Sequence, residues 1–212
     1  AAGTYKPGTA RTDAFVMKNG VGIYGGFNGT ETQRSGRNWT TNVSTLSGDI
    51  GTVGNNSDNS KRIIYNSNLD NTAVLDGFII RDAYNEVFFA GEQGGGMRNN
   101  NASPTIVNCI FRNNNIAFHG GGVSNDNSSP AFTNCLFLNN AASQGGAVRT
   151  QGGSPTFMNC TFFGNTASLG GAIGGNFSST NHIVTNCIIW GNTGTNGNNS
   201  IFNNQSVSTI TY

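Results

Sequence analysis

The sequence predicts an all-β fold, a right-handed parallel β-helix whose coils have about 25 residues and three short strands each. The first observation is a repeat: "SPAFTNCLFLNNAASQGGAV" at 129–148 is followed by the similar "SPTFMNCTFFGNTASLGGAI" at 154–173. The second is the lack of helical periodicity, since no copy keeps an amphipathic helical pattern over about ten residues. The copies instead contain short β-branched and aromatic runs, such as "TIVNCIF", which Asn and Gly interrupt.

Four columns of residues define the repeat when the copies are aligned. The cysteines are 26, 25 and 27 residues apart, an Asn precedes each, a second Asn follows five residues later, and a glycine turn ends in an apolar residue. The columns are Cys109, Cys135, Cys160 and Cys187; Asn108, Asn134, Asn159 and Asn186; Asn114, Asn140, Asn165 and Asn192; and Met97, Val123, Val148 and Ile173. Because side chains alternate along a strand, Cys160 and Phe162 are predicted to point inward together. The Asn columns are predicted to be turn ladders, since Asn tolerates the left-handed conformation and its amide can bond the same amide one coil away.

The whole chain, 1–212, is predicted to form a single β-helix domain with three parts. These are irregular N-terminal coils with loop insertions at 1–70, a degenerate coil at 71–102, and regular coils at 103–212. In the degenerate coil, "VLDGFIIRDA" aligns with "IVNCIFRNNN" and places Phe78 in the cysteine column. The polar insertions at 28–44 and 51–60 are expected to project from the first coils and to cap that end. Both ends of the sequence lie in predicted strands, which indicates a piece of a longer protein.

The composition argues against two classes of partner. The formal net charge is +1 and only 10% of the residues are charged, so no general electrostatic attraction to nucleic acid is expected. No apolar run approaches the roughly 20 residues that a membrane-spanning helix needs. We therefore predict neither nucleic-acid binding nor membrane insertion of this segment.

The repeat motifs resemble those of known surface proteins. The "FxxN" tetrads that begin at Phe111, Phe137 and Phe162, with "GGGV", "GGAV" and "GGAI", resemble the repeats of chlamydial polymorphic outer-membrane proteins. The stretch "NGVGIYGGFNGTETQRSGRNWTTNVSTLSGDIG" is similar to the start of β-helix regions in large secreted surface proteins of Bacteroidetes-type bacteria. The resemblance implies a pectin-lyase-like β-helix in a secreted or cell-surface protein with an adhesive or structural role. The last coil departs from the pattern at Ile189, which leaves its register open.

The four cysteines are predicted to be free thiols rather than disulfides. Stacked coils place equivalent Cα atoms about 4.8 Å apart, which a disulfide accepts. In-register side chains point the same way, however, so their Cβ atoms lie farther apart than the roughly 3.8 Å that a disulfide prefers. No close cysteine pair of the zinc-binding type is present, and the sequence predicts no metal site and no cofactor.

A candidate ligand-binding polar face follows from the aligned columns. Its members are Arg98, Asn100, His119, Asp126, Arg149 and Gln151. His119 and Asp126 with Arg98 are the residue types of a general acid or base beside a cation, as in a polysaccharide-cleaving β-helix. Beyond Asp126 there is no carboxylate side chain, and Arg149 is the only charged side chain in 127–212 if His182 is neutral. This composition favours a solvated sheet face over a catalytic groove, so no catalytic residue is assigned.

A candidate apolar contact stripe is predicted on the outer surface, because alternation turns these side chains away from the core. Its members are Ile110, Leu136, Leu138, Phe163, Ile188 and Trp190. Large exposed apolar patches mark interfaces. The stripe suits another copy, a neighbouring domain or a sugar face on which Phe163 and Trp190 stack. The alternative is cover by a loop of the same chain or by a segment of a longer chain outside this sequence.

These observations predict a non-enzymatic structural or adhesive β-helix module of a secreted or cell-surface bacterial protein. Its expected partners are other copies of itself, neighbouring domains of a longer chain, and surface carbohydrate. The alternative is a carbohydrate-binding or polysaccharide-cleaving β-helix that uses Arg98, His119 and Asp126.

Overall fold

The chain folds as a parallel β-solenoid of about five turns, in a computed structural model that describes residues 1–88, 91–196, 200–204 and 207–211. Every strand pairing among these residues is parallel, and sheet register joins residues one repeat apart: Ile110 pairs with Leu136, and Leu136 with Thr161. The all-β solenoid prediction is therefore confirmed, while the handedness stays a prediction. No helix in the described ranges has the length and apolar character to span a membrane.

The strands form four faces, named here sheets A to D. Sheet A contains β1 (Gly3–Tyr5), β3 (Ser44–Ser47), β6 (Phe78–Arg81), β10 (Ile110–Arg112), β14 (Leu136–Leu138), β18 (Thr161–Phe163) and β21 (Ile188–Trp190). Sheet B contains β4 (Ile64–Ser67), β8 (Met97–Asn100), β12 (Val123–Asp126), β16 (Val148–Gly153), the first part of β20 (Ile173–Thr185) and β23 (Ile201–Asn204). Sheet C contains β2 (Gly22–Tyr24), β5 (Val74–Asp76), β9 (Thr105–Val107), β13 (Ala131–Thr133), β17 (Thr156–Met158), the last part of β20, and β24 (Val207–Thr211). Sheet D contains β7 (Tyr84–Asn85), β11 (Asn115–Ile116), β15 (Ala141–Gln144), β19 (Thr166–Leu169) and β22 (Thr193–Gly194). Two short 3-10 helices, Arg34–Gly36 and Asn56–Asp58, lie in the two insertions.

Each regular coil has four strand segments, one more than the sequence predicts. A coil passes through sheets B, C, A and D in that order, as β8, β9, β10 and β11 do. The additional segment is the short strand of sheet D, which is "NI" in one coil and begins "AA" in the next. It lacks the β-branched and aromatic run that identifies the other strands, so its sequence does not indicate a strand.

The first Asn column turns the chain as predicted. Asn108, Asn134, Asn159 and Asn186 precede the cysteines and all have a φ between 51° and 54°, in the left-handed region. Their amides form a ladder, because Asn159 Nδ2 donates to Asn134 Oδ1 at 3.4 Å and Asn134 Nδ2 donates to Asn108 Oδ1 at 3.3 Å. The conformational tolerance of Asn explains why this residue type repeats at the corner.

The second Asn column lies inside the solenoid and is not a corner. Asn114, Asn140, Asn165 and Asn192 are all buried. The left-handed residue is the one before each of them, which is Asn113, Asn139, Gly164 and Gly191. The interpretation of Asn165 as a corner residue is therefore wrong, because the corner precedes it and turns its amide into the core.

This inner ladder satisfies each buried amide completely, as Asn140 illustrates. Its Nδ2 donates to Asn165 Oδ1 at 3.0 Å and to the carbonyl of Phe111 at 2.9 Å. Its Oδ1 accepts from the Nδ2 of Asn114 at 3.0 Å and from the backbone N–H of Asn114 at 3.2 Å. Two donors and two acceptor sites exhaust the capacity of a carboxamide. Asn192 continues the ladder, so the register that Ile189 left open is regular.

The apolar core consists of stacked columns, and the predicted inward direction of Cys and Phe is confirmed. Cys109, Cys135 and Cys160 are buried, and Phe78 is buried in the same column. One Phe column stacks with centroid distances of 5.2 Å (Phe111 to Phe137) and 4.7 Å (Phe137 to Phe162). A second column contains Phe132 and Phe157, which meet the first column edge-on. These packed aromatic columns supply the main apolar burial of the regular coils.

A further buried polar column lies on the inner side of sheet B. Asn66 Nδ2 donates to Asn99 Oδ1, and Asn99 Nδ2 donates to Asn125 Oδ1, both at 2.9 Å. Asn125 in turn donates to Thr150 Oγ1 at 3.4 Å. Both polar columns therefore fix the stacking of coils by hydrogen bonds, while the Phe and Cys columns fill the space between them.

The first insertion packs against the flank of the solenoid at β5 and the glycine that follows it. Arg37 binds the Asp76 carboxylate and donates to the carbonyls of Gly25 and Asp76, each at 3.2 Å. Trp39 lies against Gly77, whose φ of 82° and lack of a Cβ permit the contact. Asn108 Nδ2 donates to Asp76 Oδ1 at 2.9 Å, so the outer Asn ladder ends on a carboxylate that the insertion neutralises.

We predict that Asn140→Leu destabilises the protein strongly. The side chains are similar in size, so the main loss is that of hydrogen bonds, and each polar group left unpaired in the core costs about 1–3 kcal/mol. The free energy of unfolding, measured with a chemical denaturant, should fall by roughly 3 kcal/mol or more. The matched control is Asn115→Ala, since Asn115 is exposed and Ala141 holds the equivalent position in the next coil. Equal stabilities of the two variants would contradict a structural role for the ladder.

We also predict that all four thiols are reduced and that the native fold protects them. The described cysteines are free, as expected from the sequence. Burial raises the pKa of Cys109 to about 12, and the hydrogen bond with Cys135 raises the pKa of Cys160 to about 12. Because the thiolate is the reactive form, a thiol reagent should react slowly with the folded protein. After unfolding without reductant it should detect four thiols, and a lower number would reveal a disulfide.

Candidate functional site

The predicted polar face lies on the outer side of sheet B, where register aligns its members across three coils. Arg98, Ser124 and Arg149 occupy one row. Asn100, Asp126 and Gln151 occupy the row two residues further along the strands. The aligned sequence columns thus predicted these neighbours correctly, because a repeat fixes both the register and the side to which a residue points.

Asp126 joins two of the arginines. Its Oδ2 lies 3.1 Å from Arg98 Nε, and its Oδ1 lies 2.6 Å from Arg149 Nη1. Arg149 is only 3% exposed, although it points away from the core, and its Nη2 also binds Gln151 Oε1. Burial lowers the pKa of Arg149, and the Asp126 carboxylate opposes that shift. The network holds three adjacent coils together on this face.

Gln93 completes the network and has no assigned role in the sequence prediction. Its Oε1 accepts hydrogen bonds from Arg149 Nη1 at 2.8 Å and from Ser124 Oγ at 3.1 Å. Gln93 ends the long loop of the degenerate coil, and the alignment places it in the same column as His119 and Gln144. The position of Gln93 in this column could have identified it from the sequence, because residues of that column lie against the outer side of sheet B.

His119 lies near this network without forming an acid–base pair in it. Its ring stacks on Phe118 with a centroid distance of 3.7 Å. Burial, and then the charge of Arg149, lower the pKa of His119 to about 4, so the ring is neutral at pH 7. Within the described part of the chain, no hydrogen bond joins His119 to Asp126, and the buried Nδ1 of His119 has no partner.

The ion pairs of this face therefore link neighbouring coils to one another. Both oxygens of Asp126 are engaged by guanidinium groups in charge-assisted hydrogen bonds. Asn100 lies half-buried beside Asp126 in the same row. In the ranges that the structure describes, no three His, Cys, Asp or Glu side chains are grouped closely enough to hold a metal ion.

The predicted apolar stripe lies on the outer side of sheet A, and all its members point outward. Ile110, Leu136 and Leu138 are half-buried. Exposure is greater in the following coils, with Phe163 45%, Ile188 63% and Trp190 71% exposed. Phe163 and Trp190 are register partners on adjacent strands, so their backbones lie about 4.8 Å apart. Both rings project from the same side of the sheet.

The first insertion covers only the beginning of the stripe. Trp39 and Val43 form one wall of a groove of about 430 Å³, and its floor includes Ile79, Ile110 and Leu136. Leu138, Phe163, Ile188 and Trp190 do not line this groove. Cover by a loop of the same chain, the alternative left open by the sequence, therefore applies to one end of the stripe within the described residues.

Comparisons with protein-family models, with curated proteins and with solved structures find no match for this chain.

We predict that the protein loses stability as the pH falls from about 6.5 to about 4. Burial lowers the pKa of His182 from 6.5 to about 4, as it does for His119. Below about pH 6.5 the histidines of the unfolded chain bind protons, whereas those of the folded chain do not until the pH approaches about 4. The destabilisation is therefore absent above about pH 6.5 and grows as the pH falls to about 4. Denaturant midpoints at about pH 7.5 and about pH 4.5 should therefore differ less in the His119→Gln, His182→Gln double variant than in the wild type. Wild type and double variant have the same carboxylates, so an identical pH dependence of their stability would contradict the role assigned to the two histidines.

Proposed function

We propose that this chain is a non-enzymatic structural or adhesive β-solenoid module of a secreted or cell-surface bacterial protein. The observation that carries the proposal is the apolar stripe, in which Phe163, Ile188 and Trp190 are exposed on the outer side of one sheet. A soluble monomer rarely exposes such a contiguous apolar surface unless it contacts another molecule. The FxxN tetrads and glycine turns support a place among surface β-helix proteins of the polymorphic outer-membrane type.

The apolar stripe can contribute free energy to a contact with another molecule. Complete burial of a fully exposed large apolar side chain contributes roughly 1.5–3 kcal/mol. These three side chains are 45–71% exposed, so burying what remains exposed contributes a part of that amount for each before the cost of association. The supporting backbone is rigid because the Phe columns and the inner Asn ladder lie directly beneath sheet A. A preformed surface loses little conformational entropy on binding, which favours contact by this face.

The polar face supports the non-enzymatic part of the proposal. A general acid or base needs a free proton site near its substrate, whereas Asp126 is held by two arginines. His119 is neutral, packed on Phe118 and not bonded to Asp126. The alternative, a polysaccharide-cleaving β-helix, is tested by incubation with acidic and neutral polysaccharides. Cleavage that Asp126→Asn abolishes would overturn the proposal.

We predict that Phe163→Ser combined with Trp190→Ser weakens the contacts of the module without unfolding it. Both side chains are exposed, so the thermal midpoint should change little, whereas self-association or retention on bacterial surface carbohydrate should weaken at least about tenfold, equivalent to about 1.4 kcal/mol. Sedimentation velocity measures the first and retention on immobilised polysaccharide the second. The matched control is Met158→Ser, since Met158 is 49% exposed but lies on sheet C. Equal losses in the control, or no contact of the wild type in either assay, would contradict the proposal.

A further inference from the structure

A small cleft lies where three successive coils enter sheet B. It has a volume of about 100 Å³ and is lined by Arg11 and Thr12, by Lys61 and Arg62, and by Gly91 and Glu92. These pairs belong to three different coils, and the backbone N–H of Lys61 donates to the carbonyl of Arg11 at 2.8 Å. The cleft adjoins the Arg98, Asp126 and Arg149 network, because Arg98 Nη1 and Arg62 Nη2 both donate to the carbonyl of Gly91. It is separate from the apolar stripe.

Two guanidinium groups of the cleft are held only by neutral acceptors. Arg11 donates to the carbonyls of Asn59 at 2.8 Å and Tyr84 at 3.1 Å. Arg62 donates to the carbonyls of Gln93 at 2.8 Å and Gly91 at 2.9 Å. Among the described residues neither arginine forms an ion pair. Their positions are thus fixed by the backbone, while no described carboxylate lies within ion-pair distance of either guanidinium group.

The one carboxylate lining the cleft is already engaged. Glu92 Oε1 accepts from Lys61 Nζ at 3.0 Å, and Glu92 Oε2 accepts from Asn85 Nδ2 at 3.1 Å. The lining therefore has three cations (Arg11, Lys61 and Arg62) and one anion, which leaves a net charge of +2. Such an excess of charge in a confined cleft attracts an anion.

The electrostatic state of Arg62 points in the same direction. Burial, and after it the charge of Arg98, lower the pKa of Arg62 to about 10. The carboxylates of Glu92 and of Asp126, which pairs with Arg98, oppose this shift of the Arg62 pKa only in part. An anion bound beside Arg62 would lower the free energy of this charged form, since a nearby opposite charge favours it.

We propose that this cleft binds one small anionic group, a carboxylate or a sulfate, of the kind that acidic saccharides carry. Guanidinium groups are suited to such planar or multidentate oxygen anions. A cleft of about 100 Å³ is small beside the roughly 300–1,000 Å³ of pockets that enclose whole small-molecule ligands, which suits a single anionic group. The rest of a saccharide would therefore lie outside the cleft.

The test measures binding of defined anions to the folded protein. Sodium sulfate, sodium glucuronate and a uronate oligosaccharide are titrated at constant ionic strength against sodium chloride, by calorimetry and by the thermal midpoint. The expected result is saturable stabilisation by at least one of these anions beyond that of chloride. Sulfate or glucuronate alone would identify a site for free anions, whereas tighter binding of the oligosaccharide would identify saccharide as the source.

Variants separate this site from general charge effects. Arg11→Gln should weaken anion binding at least tenfold, and Arg62→Lys should weaken it less, since it keeps the charge but loses the planar fork. The matched control is Lys18→Gln, which removes one charge from an exposed side chain outside the cleft. Circular dichroism verifies that each variant is folded. If Arg11→Gln does not fold, Arg62→Lys provides the test.

Three results would overturn the proposal. The first is that none of the three anions stabilises the protein saturably. The second is an equal loss of anion affinity in Lys18→Gln, and the third is unchanged anion affinity in both cleft variants. The Phe163→Ser, Trp190→Ser protein should bind these anions normally, because the stripe is on another face. Failure of the anion site is therefore distinguishable from failure of the contact function.

Discussion

The buried amide ladder is the constraint on which the rest of this structure depends. A carboxamide in the core is satisfied only when the neighbouring coils place the same group directly above and below it, as they do for Asn140. A slip of one residue would turn these amides outward and leave carbonyls such as that of Phe111 without their donors. The same slip would turn the Phe and Cys columns toward solvent. Smaller displacements cost the apolar columns less than the amides, since packing of Phe and Cys is less directional than a hydrogen bond.

Differences in coil length are consequently absorbed away from the ladder. The cysteine spacings vary between 25 and 27 residues, yet the strands of sheet A stay in unbroken register from β6 to β21. The longest spacing coincides with β20, which continues from sheet B into sheet C, and the register shifts between Gln151 and Gly153 beside it. Two charged groups also lie where the chain departs from its repeat, namely the ion pair of Arg37 and Asp76 and the cation-rich cleft.

The sequence predicted what the repeat encodes. Period-two alternation and the aligned columns place Cys160 inside, Phe163 outside and Asp126 beside Arg98 and Arg149, because each of these positions depends only on register. It placed the second Asn column wrongly, since whether Asn165 or Gly164 takes the left-handed conformation depends on a backbone choice that either residue type permits. The anion cleft was beyond prediction, because it depends on contacts outside the repeat such as that of Arg11 with Tyr84, 73 residues apart.

The two proposed surfaces differ in what makes them selective. The stripe on sheet A is nearly free of charge, and apolar burial is non-directional, so it suits a partner of matching shape more than one particular chemical group. The cleft beside sheet B holds its guanidinium groups by backbone carbonyls and so discriminates by charge and geometry. Sheets C and D separate these two faces. A saccharide chain bearing carboxylates could therefore engage the cleft by its charge while the stripe contacts a second molecule, which would make the module a cross-link between two surfaces.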